Sequence, residues 1–401
     1  MNPTIKARIE SIRRGEVPEG YKRTKIGIVP YEWKVESLKS HLIEYRHLSN
    51  DIDKFDIYSS SRNGLMLQSA YYSQKTATQT NLGYKTVPHG YVTYRHMSDD
   101  DIFHFNINRQ NKTILVSVEY PVFNTDEQTN TYFLIAYLNS MARFRYFCRG
   151  QKMGGTRTRL YFNVLGDFKL AFPSISEQEK IAEILAGQDR VIALKEQLLA
   201  EKQKQKKYFM QQLLTGKKRL PGFSGEWKKV LLDELVQIST GNKNTQDQIV
   251  NGSYPFFIRS DEVCRINSYS FDGEAILIPG EGKIGEIFHY INGKFDYHQR
   301  VYKISDFACN GKYIFYYLQA FFKKRALSMS AKATVDSLRR EMLTGMDINL
   351  PSLKEQTAIA EILSTADKEI ELLKKDIEQE KLKKKSLMQL LLTGIVRVKD
   401  V

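Results

Sequence analysis

The densest grouping of side chains able to do chemistry is a run of arginines, Arg143-Phe144-Arg145-Tyr146-Phe147-Cys148-Arg149-Gly150-Gln151-Lys152. It continues through Gly154-Gly155 to Arg157-Thr158-Arg159. A guanidinium can bond guanine O6 and N7 through two parallel donors, and Arg and Lys both neutralise phosphate. Glycines beside such residues let backbone amides approach phosphate oxygens closely. Arg95 lies upstream on a strand-like stretch. In the later half the counterparts are Lys323-Lys324-Arg325, Lys332 and Arg339-Arg340, joined by Lys283 in the loop Pro279–Gly285 and by His298-Gln299-Arg300. The candidate DNA contacts are therefore Arg95, Arg143, Arg145, Arg149, Lys152, Arg157, Arg159, Lys283, Arg300, Lys323, Lys324, Lys332, Arg339 and Arg340. Any one of them taken singly also reads as solvated surface; the signal is the clustering.

The whole chain has the same bias. Its 401 residues carry a formal net charge of +14 and a pI near 9.3, which suits a polyanionic partner. With 42% hydrophobic residues, 23 Tyr and 21 Phe, it has the material for folded cores. No apolar run approaches the roughly 20 residues needed to span a bilayer. The opening Met1-Asn2-Pro3-Thr4-Ile5-Lys6 has no apolar signal core. A cytoplasmic protein with no membrane association is expected.

Other chemistries find no residues to carry them. Cys148, Cys264 and Cys309 form no CxxC and have no His at zinc-ligand spacing, so they are expected to be buried or incidental thiols. The stretch Gly280-Glu281-Gly282-Lys283-Ile284 invites a phosphate-loop reading but fails it. The first glycine of that motif would fall on Leu277, and Ile284 replaces the magnesium-binding Ser/Thr. No GxGxxG leads from a strand into a helix, and neither HExxH nor GxSxG occurs. The Asn/Asp-Pro-Pro-aromatic signature of adenine methylation is impossible in a chain without Pro-Pro. Asp99-Asp100-Asp101 suits a solvated turn or helix start better than a metal site. The expectation is a non-catalytic binding protein with no catalytic residue, no metal and no cofactor of its own.

The elements that must position the basic clusters come from a duplication. Residues 173–220 align without a gap to 351–398, at a constant offset of 178. Pro173-Ser174-Ile175-Ser176-Glu177-Gln178 matches Pro351-Ser352-Leu353-Lys354-Glu355-Gln356. Ile181-Ala182-Glu183-Ile184-Leu185 matches Ile359-Ala360-Glu361-Ile362-Leu363, and Leu213-Leu214-Thr215-Gly216 matches Leu391-Leu392-Thr393-Gly394. Each copy reads as one helix, started by a Ser-x-x-Glu capping box and ended by a left-handed glycine. A heptad seam runs through Ile359, Leu363, Ile370, Leu373 and Ile377 in the second copy. In the first it runs through Ile181, Leu185, Ile192 and Leu199, interrupted by Gln188, Lys195, Lys202 and Lys206. Two helices of about 40 residues, each roughly 60 Å long, are expected to pack on each other; two independent amphipathic helices are the alternative.

A weaker repeat flanks them. Glu32-Trp33-Lys34-Val35 matches Glu226-Trp227-Lys228-Lys229-Val230 and contains the chain's two tryptophans. Thr156…Leu160…Leu165 matches Thr334…Leu338…Leu343. The fold class is thus α+β: two tandem globular domains joined by two long repeated helices that pair as a coiled coil. The expected boundaries are 1–172 for the N-terminal segment and first domain, 173–216 for the first helix, 217–350 for the second domain, and 351–401 for the second helix and tail. Tyr91–Arg95 and Thr113–Val118 read as strands, and Tyr132–Leu138 and Lys312–Leu318 as buried helices. The helices are nearly charge-balanced, so the excess positive charge belongs to the globular regions and chain ends.

These motifs resemble the specificity subunit of type I restriction–modification systems. The resemblance rests on both copies of Pro-Ser-x-x-Glu-Gln-x-x-Ile-Ala-Glu-Ile-Leu and both Leu-Leu-Thr-Gly ends. It also rests on the opening Val17-Pro18-Glu19-Gly20-Tyr21-Lys22, with Lys25-Ile26-Gly27-Ile28-Val29-Pro30 and Trp33, and it covers essentially the whole chain. It implies two target-recognition domains, each reading half of a split double-stranded DNA site and held apart by the repeated helices, paired as an antiparallel coiled coil with pseudo-two-fold symmetry. It implies two modification subunits that methylate adenine N6 with S-adenosylmethionine, and two ATP-dependent restriction subunits. Those cofactors, with magnesium, belong to the partners.

Two other readings stand beside it. A coiled-coil adaptor that meets no DNA predicts balanced charge throughout. A recognition module fused to a nuclease or methyltransferase needs a catalytic domain, and the repeat leaves little chain for one. A duplicated but diverged reader should recognise two different half-sites about a helical turn apart.

Overall fold

The computed structural model describes residues 3–71, 83–152, 156–329 and 337–398. The chain forms two compact units. One is Met1–Leu194 with Glu378–Val401; the other is Lys195–Ile377. The two long helices, Ile175–Leu213 and Leu353–Leu391, contribute to both.

In the first unit a four-stranded antiparallel sheet takes the order Phe105–Ile107, Val92–Tyr94, Val122–Thr125, Leu42–Glu44. A three-stranded sheet of Ile114–Ser117, Tyr84–Val87 and Leu48–Ser49 lies beside it in sequence. The expected strands at 91–95 and 113–118 are present, as is the apolar helix, Thr131–Ser140. Trp33, Tyr94, Phe105, Phe123, Phe133, Phe144 and Phe168 are fully buried together. Each such side chain contributes roughly 1.5–3 kcal/mol relative to exposure.

The second unit is built on a six-stranded sheet. Its order is Gln237–Thr240, Val301–Ser305, Phe271–Pro279, His289–Tyr297, Tyr254–Phe257, Val263–Ile266. Only the pair Tyr254–Phe257 with His289–Tyr297 is parallel. The helix Gly311–Ser328 covers it, burying Tyr313, Ile314, Leu318 and Phe322. The tandem α+β domains are thus present. The two matched tryptophan segments fold alike: Lys34–Ser37 pairs antiparallel with Lys169–Phe172, and Lys228–Leu231 with Asp347–Leu350.

The repeated Pro-Ser-x-x-Glu-Gln motif has the same work in each unit. Gln178 Oε1 accepts from the Asn130 amide at 2.9 Å, and Gln356 Oε1 from the Asn310 amide at 2.9 Å. Asn130 and Asn310 are themselves the N-caps of Thr131–Ser140 and Gly311–Ser328. One glutamine therefore ties the start of a long helix to the start of the domain's own helix, satisfying an amide that has no intrahelical partner.

The expected capping box is half formed. Ser174 and Ser352 accept from the amides of Glu177 and Glu355 at 3.3 and 3.4 Å. The glutamates do not turn back to the caps. Glu177 accepts from Trp33 Nε1 at 3.2 Å and Glu355 from Trp227 Nε1 at 3.2 Å. Both carboxylates are almost wholly buried, and a buried carboxylate needs a cationic partner more than it needs a cap. Arg397 and Arg219 supply it. The left-handed glycines are as expected, Gly216 at φ 68° and Gly394 at φ 71°. A Cβ there would lie 3.5 Å from the Trp227 ring and 3.1 Å from the Trp33 ring.

The seam residues Ile181, Leu185, Ile192, Ile359, Leu363, Ile370 and Ile377 are buried; Leu199 and Leu373 are half-buried. The first turns of each seam join a domain core. Ile181 and Leu185 lie with Phe133 and Phe144, and Ile359 and Leu363 with Tyr313 and Phe322. Farther along, the polar interruptions are cross-helix partners. In the first unit Gln188 donates to Glu380 Oε2 at 2.7 Å and Lys384 meets Asp189 at 2.5 Å. In the second unit Lys195, Lys202 and Lys206 meet Asp376, Glu369 and Asp367 at 2.8, 2.7 and 2.5 Å. In the second unit, rising numbers on one helix against falling numbers on the other establish antiparallel pairing.

Candidate nucleic-acid interface

In the first unit the short pairing of Met97–Ser98 with Thr158–Arg159 brings the segment after Arg95 beside Arg157 and Arg159. The acidic run between them anchors arginines. Asp99 binds Arg157 at 2.8 Å, Asp100 binds Arg62, and Asp101 accepts from Thr158 and lies 3.7 Å from Arg149. It is a turn, with Asp101 at φ 62°. On the helix Ala142–Arg149, Phe144 and Cys148 face the core while Arg145, Tyr146 and Arg149 face out. Arg143 is engaged internally, donating to the Lys169 carbonyl at 2.5 Å and lying 4.6 Å from the Phe168 ring centroid.

Arg95 also lines a cleft of about 330 Å³ with Ser59, Ser61, Arg62, Asn63 and His104. Lys152 is exposed. The glycines at 154 and 155 lie outside the described residues, as does Lys332. Two aromatic side chains not singled out in the sequence are prominent. Tyr146 is 79% exposed between Arg145 and Arg149, and Tyr161 stacks on buried His96 at 5.7 Å. The available signal was their interleaving with arginine.

In the second unit the glycine loop gathers the cations. Arg259 Nη1 lies 2.8 Å from Glu281 Oε2, and Arg300 Nη1 lies 3.0 Å from Glu281 Oε1. Glu286 binds Lys323 at 2.5 Å. Gly285 sits at φ +73°, where a Cβ would fall 2.8 Å from Lys323 Cα, so only glycine permits this approach. The Leu338 amide donates to the Gly280 carbonyl at 2.8 Å, placing Arg339 and Arg340 beside the same loop. Lys283, Arg300, Lys323, Arg339 and Arg340 are thus drawn around one loop, and Lys283, Lys324, Arg339 and Arg340 are exposed. Arg259 was missed by sequence reasoning because it stands alone in sequence, 22 residues from its carboxylate. The Glu281 carboxyl is held below its ordinary pKa, first by the bond from Arg259 and also by Arg300 nearby.

The thiols offer no reactive centre. Burial pushes Cys148 up to about 12 and Cys309 up to about 11, and raises Cys264. Among the described residues no three His, Cys, Asp or Glu side chains are grouped to hold a metal ion, and no helix is long and apolar enough to cross a membrane.

Comparison with known proteins adds a relationship. The family model for the type I restriction modification DNA specificity domain matches residues 98–202 and 224–381. A 154-residue stretch is 35% identical to the type I restriction enzyme EcoDI specificity subunit of Escherichia coli, covering 38% of this chain and 34% of that relative. The match therefore spans about a third of the EcoDI subunit's length. A provisionally named type I restriction enzyme MjaX specificity subunit of Methanocaldococcus jannaschii is 24% identical over 95% of this chain and 97% of its own. In three dimensions the type I restriction-modification S subunit from M. genitalium superposes with a TM-score of 0.60. It is 12% identical and matched over 90% of this chain and 96% of that one, which shows a shared fold.

Proposed function

The chain belongs to the type I restriction–modification DNA specificity family, and from that premise we propose that it is the DNA-reading subunit of such a system. It recognises a bipartite, asymmetric site and scaffolds adenine-N6 methyltransferase and ATP-dependent endonuclease subunits. One observation carries the reading. Two domains hang on matched helix starts through the same Gln–Asn and Glu–Trp–Arg bonds, yet they present different cationic constellations. Equivalent scaffolding with unequal reading surfaces is what a split site with two different halves requires.

No chemistry need reside in this chain. S-adenosylmethionine, ATP and magnesium act in the two modification and two restriction subunits of the complex, and this subunit acts in the cytoplasm on double-stranded DNA. Phosphate contacts from the exposed Arg and Lys supply affinity and register, while base-edge contacts supply sequence choice. The test is co-expression with a modification subunit from the same genome, in a host lacking such systems, with N6-methyladenine mapped at single-base resolution. A split motif that depends on this chain supports the reading. Soluble, co-purifying proteins that write no new methylation would favour the adaptor alternative.

A further inference from the structure

The short connection from His289–Tyr297 to Val301–Ser305, two strands that lie either side of Phe271–Pro279, is held unusually firmly for an exposed turn. The Arg300 amide donates to His298 Nδ1 at 2.9 Å, and its carbonyl accepts from the Gly280 amide at 2.7 Å. The Gln299 amide donates to the Lys243 carbonyl at 2.8 Å, and its side chain donates to Asn244 Oδ1 at 2.6 Å. The Asn244 amide is in turn bound by Asp247 at 2.7 Å. His298, which orients Arg300, is buried. Gln299, Arg300 and Arg259 remain exposed on this fixed frame.

The guanidiniums are fixed at one corner only. Arg259 Nη1 donates to Glu281 Oε2 at 2.8 Å, and Arg300 Nη1 forms an ion pair with the other oxygen of the same carboxylate at 3.0 Å. A guanidinium has five N–H donors. The Nε and Nη2 donors of both arginines have no partner among the described residues, so each keeps a planar two-donor edge. That edge fits guanine O6 and N7, and an oriented Gln or Asn amide fits adenine N6 and N7. A side chain pre-set by a carboxylate and a locked backbone loses little freedom on binding. An ordinary phosphate contact does not need that degree of fixing.

We propose that Arg300, Arg259 and the Gln299–Asn244 amide pair are the base-reading centre of the second domain, with Glu281 as the positioning residue that aims both guanidiniums at the major groove. The assignment rests on the DNA-reading function proposed above. It predicts that this centre sets base identity in one half-site only, which makes the other half-site an internal control for folding and assembly.

The experiment maps N6-methyladenine on the host chromosome for the full chain co-expressed with its modification subunit, comparing the unaltered chain with R300A, R300K and E281Q. With Arg300→Ala, discrimination at one or two positions of one half-site should fall roughly tenfold to a hundredfold, with the other half-site unchanged. Arg300→Lys keeps the charge and loses the fork, so it should relax the same positions. Glu281→Gln keeps an acceptor for one arginine and should relax the same half-site by a smaller factor. The assignment is overturned if these variants write the unaltered motif with undiminished discrimination, or if methylation falls evenly at all sites with both half-sites intact, as a phosphate contact would give. If R300A is silent, R300K decides by the same criteria, and silence from both overturns the assignment. An unaltered chain that writes no split motif overturns the functional reading itself, and this assignment with it.

Discussion

The guanidinium of Arg397 closes on Glu177, 220 residues earlier in the chain, through two bonds of 2.6 and 2.8 Å. Arg219 repeats the bond on Glu355 at 2.6 and 2.7 Å. Each arginine stands three residues beyond a helix-ending glycine, and each carboxylate sits in the first turn of the other long helix. The end of one repeat is thus stitched to the beginning of the other.

Removing one stitch should be felt as lost stability. Arg397→Ala strands a buried carboxylate whose remaining side-chain partner among the described residues is the Trp33 N–H. Leaving such a charge unpaired is strongly destabilising, and we expect the thermal midpoint to fall by at least about 5 °C. Glu177→Gln combined with Arg397→Met, an uncharged replacement, should recover part of the loss. A melting curve of R397A that overlays the unaltered protein's would show that the bond contributes nothing.

The cross-helix lysines make a second test. Lys206 meets Asp367, which also accepts from Tyr316 at 2.8 Å. The counterparts 178 residues away, Lys384 and Asp189, repeat the pair, with Tyr132 donating to Asp189. Lys206→Glu should destabilise, and the reciprocal Asp367→Lys should restore most of the loss, with a coupling of about 1 kcal/mol. Additive effects in a double-mutant cycle would mean that the pair is incidental.

Apolar positions on the same helix should separate by burial. Leu363→Ala empties a fully buried site beside Tyr313 and Phe322, and we expect a loss of about 2–5 kcal/mol. Leu372 is 66% exposed, so Leu372→Ala should stay within about 0.5 kcal/mol. Chemical denaturation of both variants checks the contrast. Equal losses would mean that Leu372 is covered in solution.

Much of this was legible in the sequence, and the reason is periodicity. The constant offset of 178 and the heptad seam located both helices, and Gly216 and Gly394 marked their ends, because those signals are local. The strands at Val92–Tyr94 and Ile114–Ser117 and the helix at Thr131–Ser140 were legible for the same reason. What could not be read was long-range pairing. Glu177 and Glu355 looked like cap residues because a capping box has a three-residue signature, whereas their partners Arg397 and Arg219 lie far away in sequence. Lys195, Lys202 and Lys206 read as interruptions of a seam until Asp376, Glu369 and Asp367 were seen opposite them. Arg259 has no neighbour in sequence that marks it, and its role depends on Glu281 across a loop.

Acid should loosen the fold. Burial holds His96, His104 and His298 below the ordinary value of 6.5. At His96 Glu119 opposes the shift while Arg159 and Lys85 add to it; at His104 Arg62 and Lys384 add to it; at His298 Arg259 and Arg300 add to it while Glu281 and Asp247 oppose it. A histidine whose folded pKa lies below its unfolded one leaves the unfolded chain binding more protons. Its contribution is complete above the unfolded value and is lost as pH falls from there through the folded value. The thermal midpoint should therefore drop as pH falls from about 7 through 6.5 and below. A midpoint that rises or stays level over that range would contradict the burial of these rings.

The most direct test of two readers on a paired-helix spacer is to shorten the spacer. The pairs Lys195–Asp376 and Lys202–Glu369 bound a stretch one heptad long on each helix. Deleting residues 195–201 together with 370–376 preserves the heptad register and removes about 10 Å of paired helix. Mapping N6-methyladenine for this variant should show both half-sites unchanged and the unread gap shortened by about two or three base pairs, since base pairs rise 3.4 Å each. Altered half-sites with the gap unchanged would contradict the account.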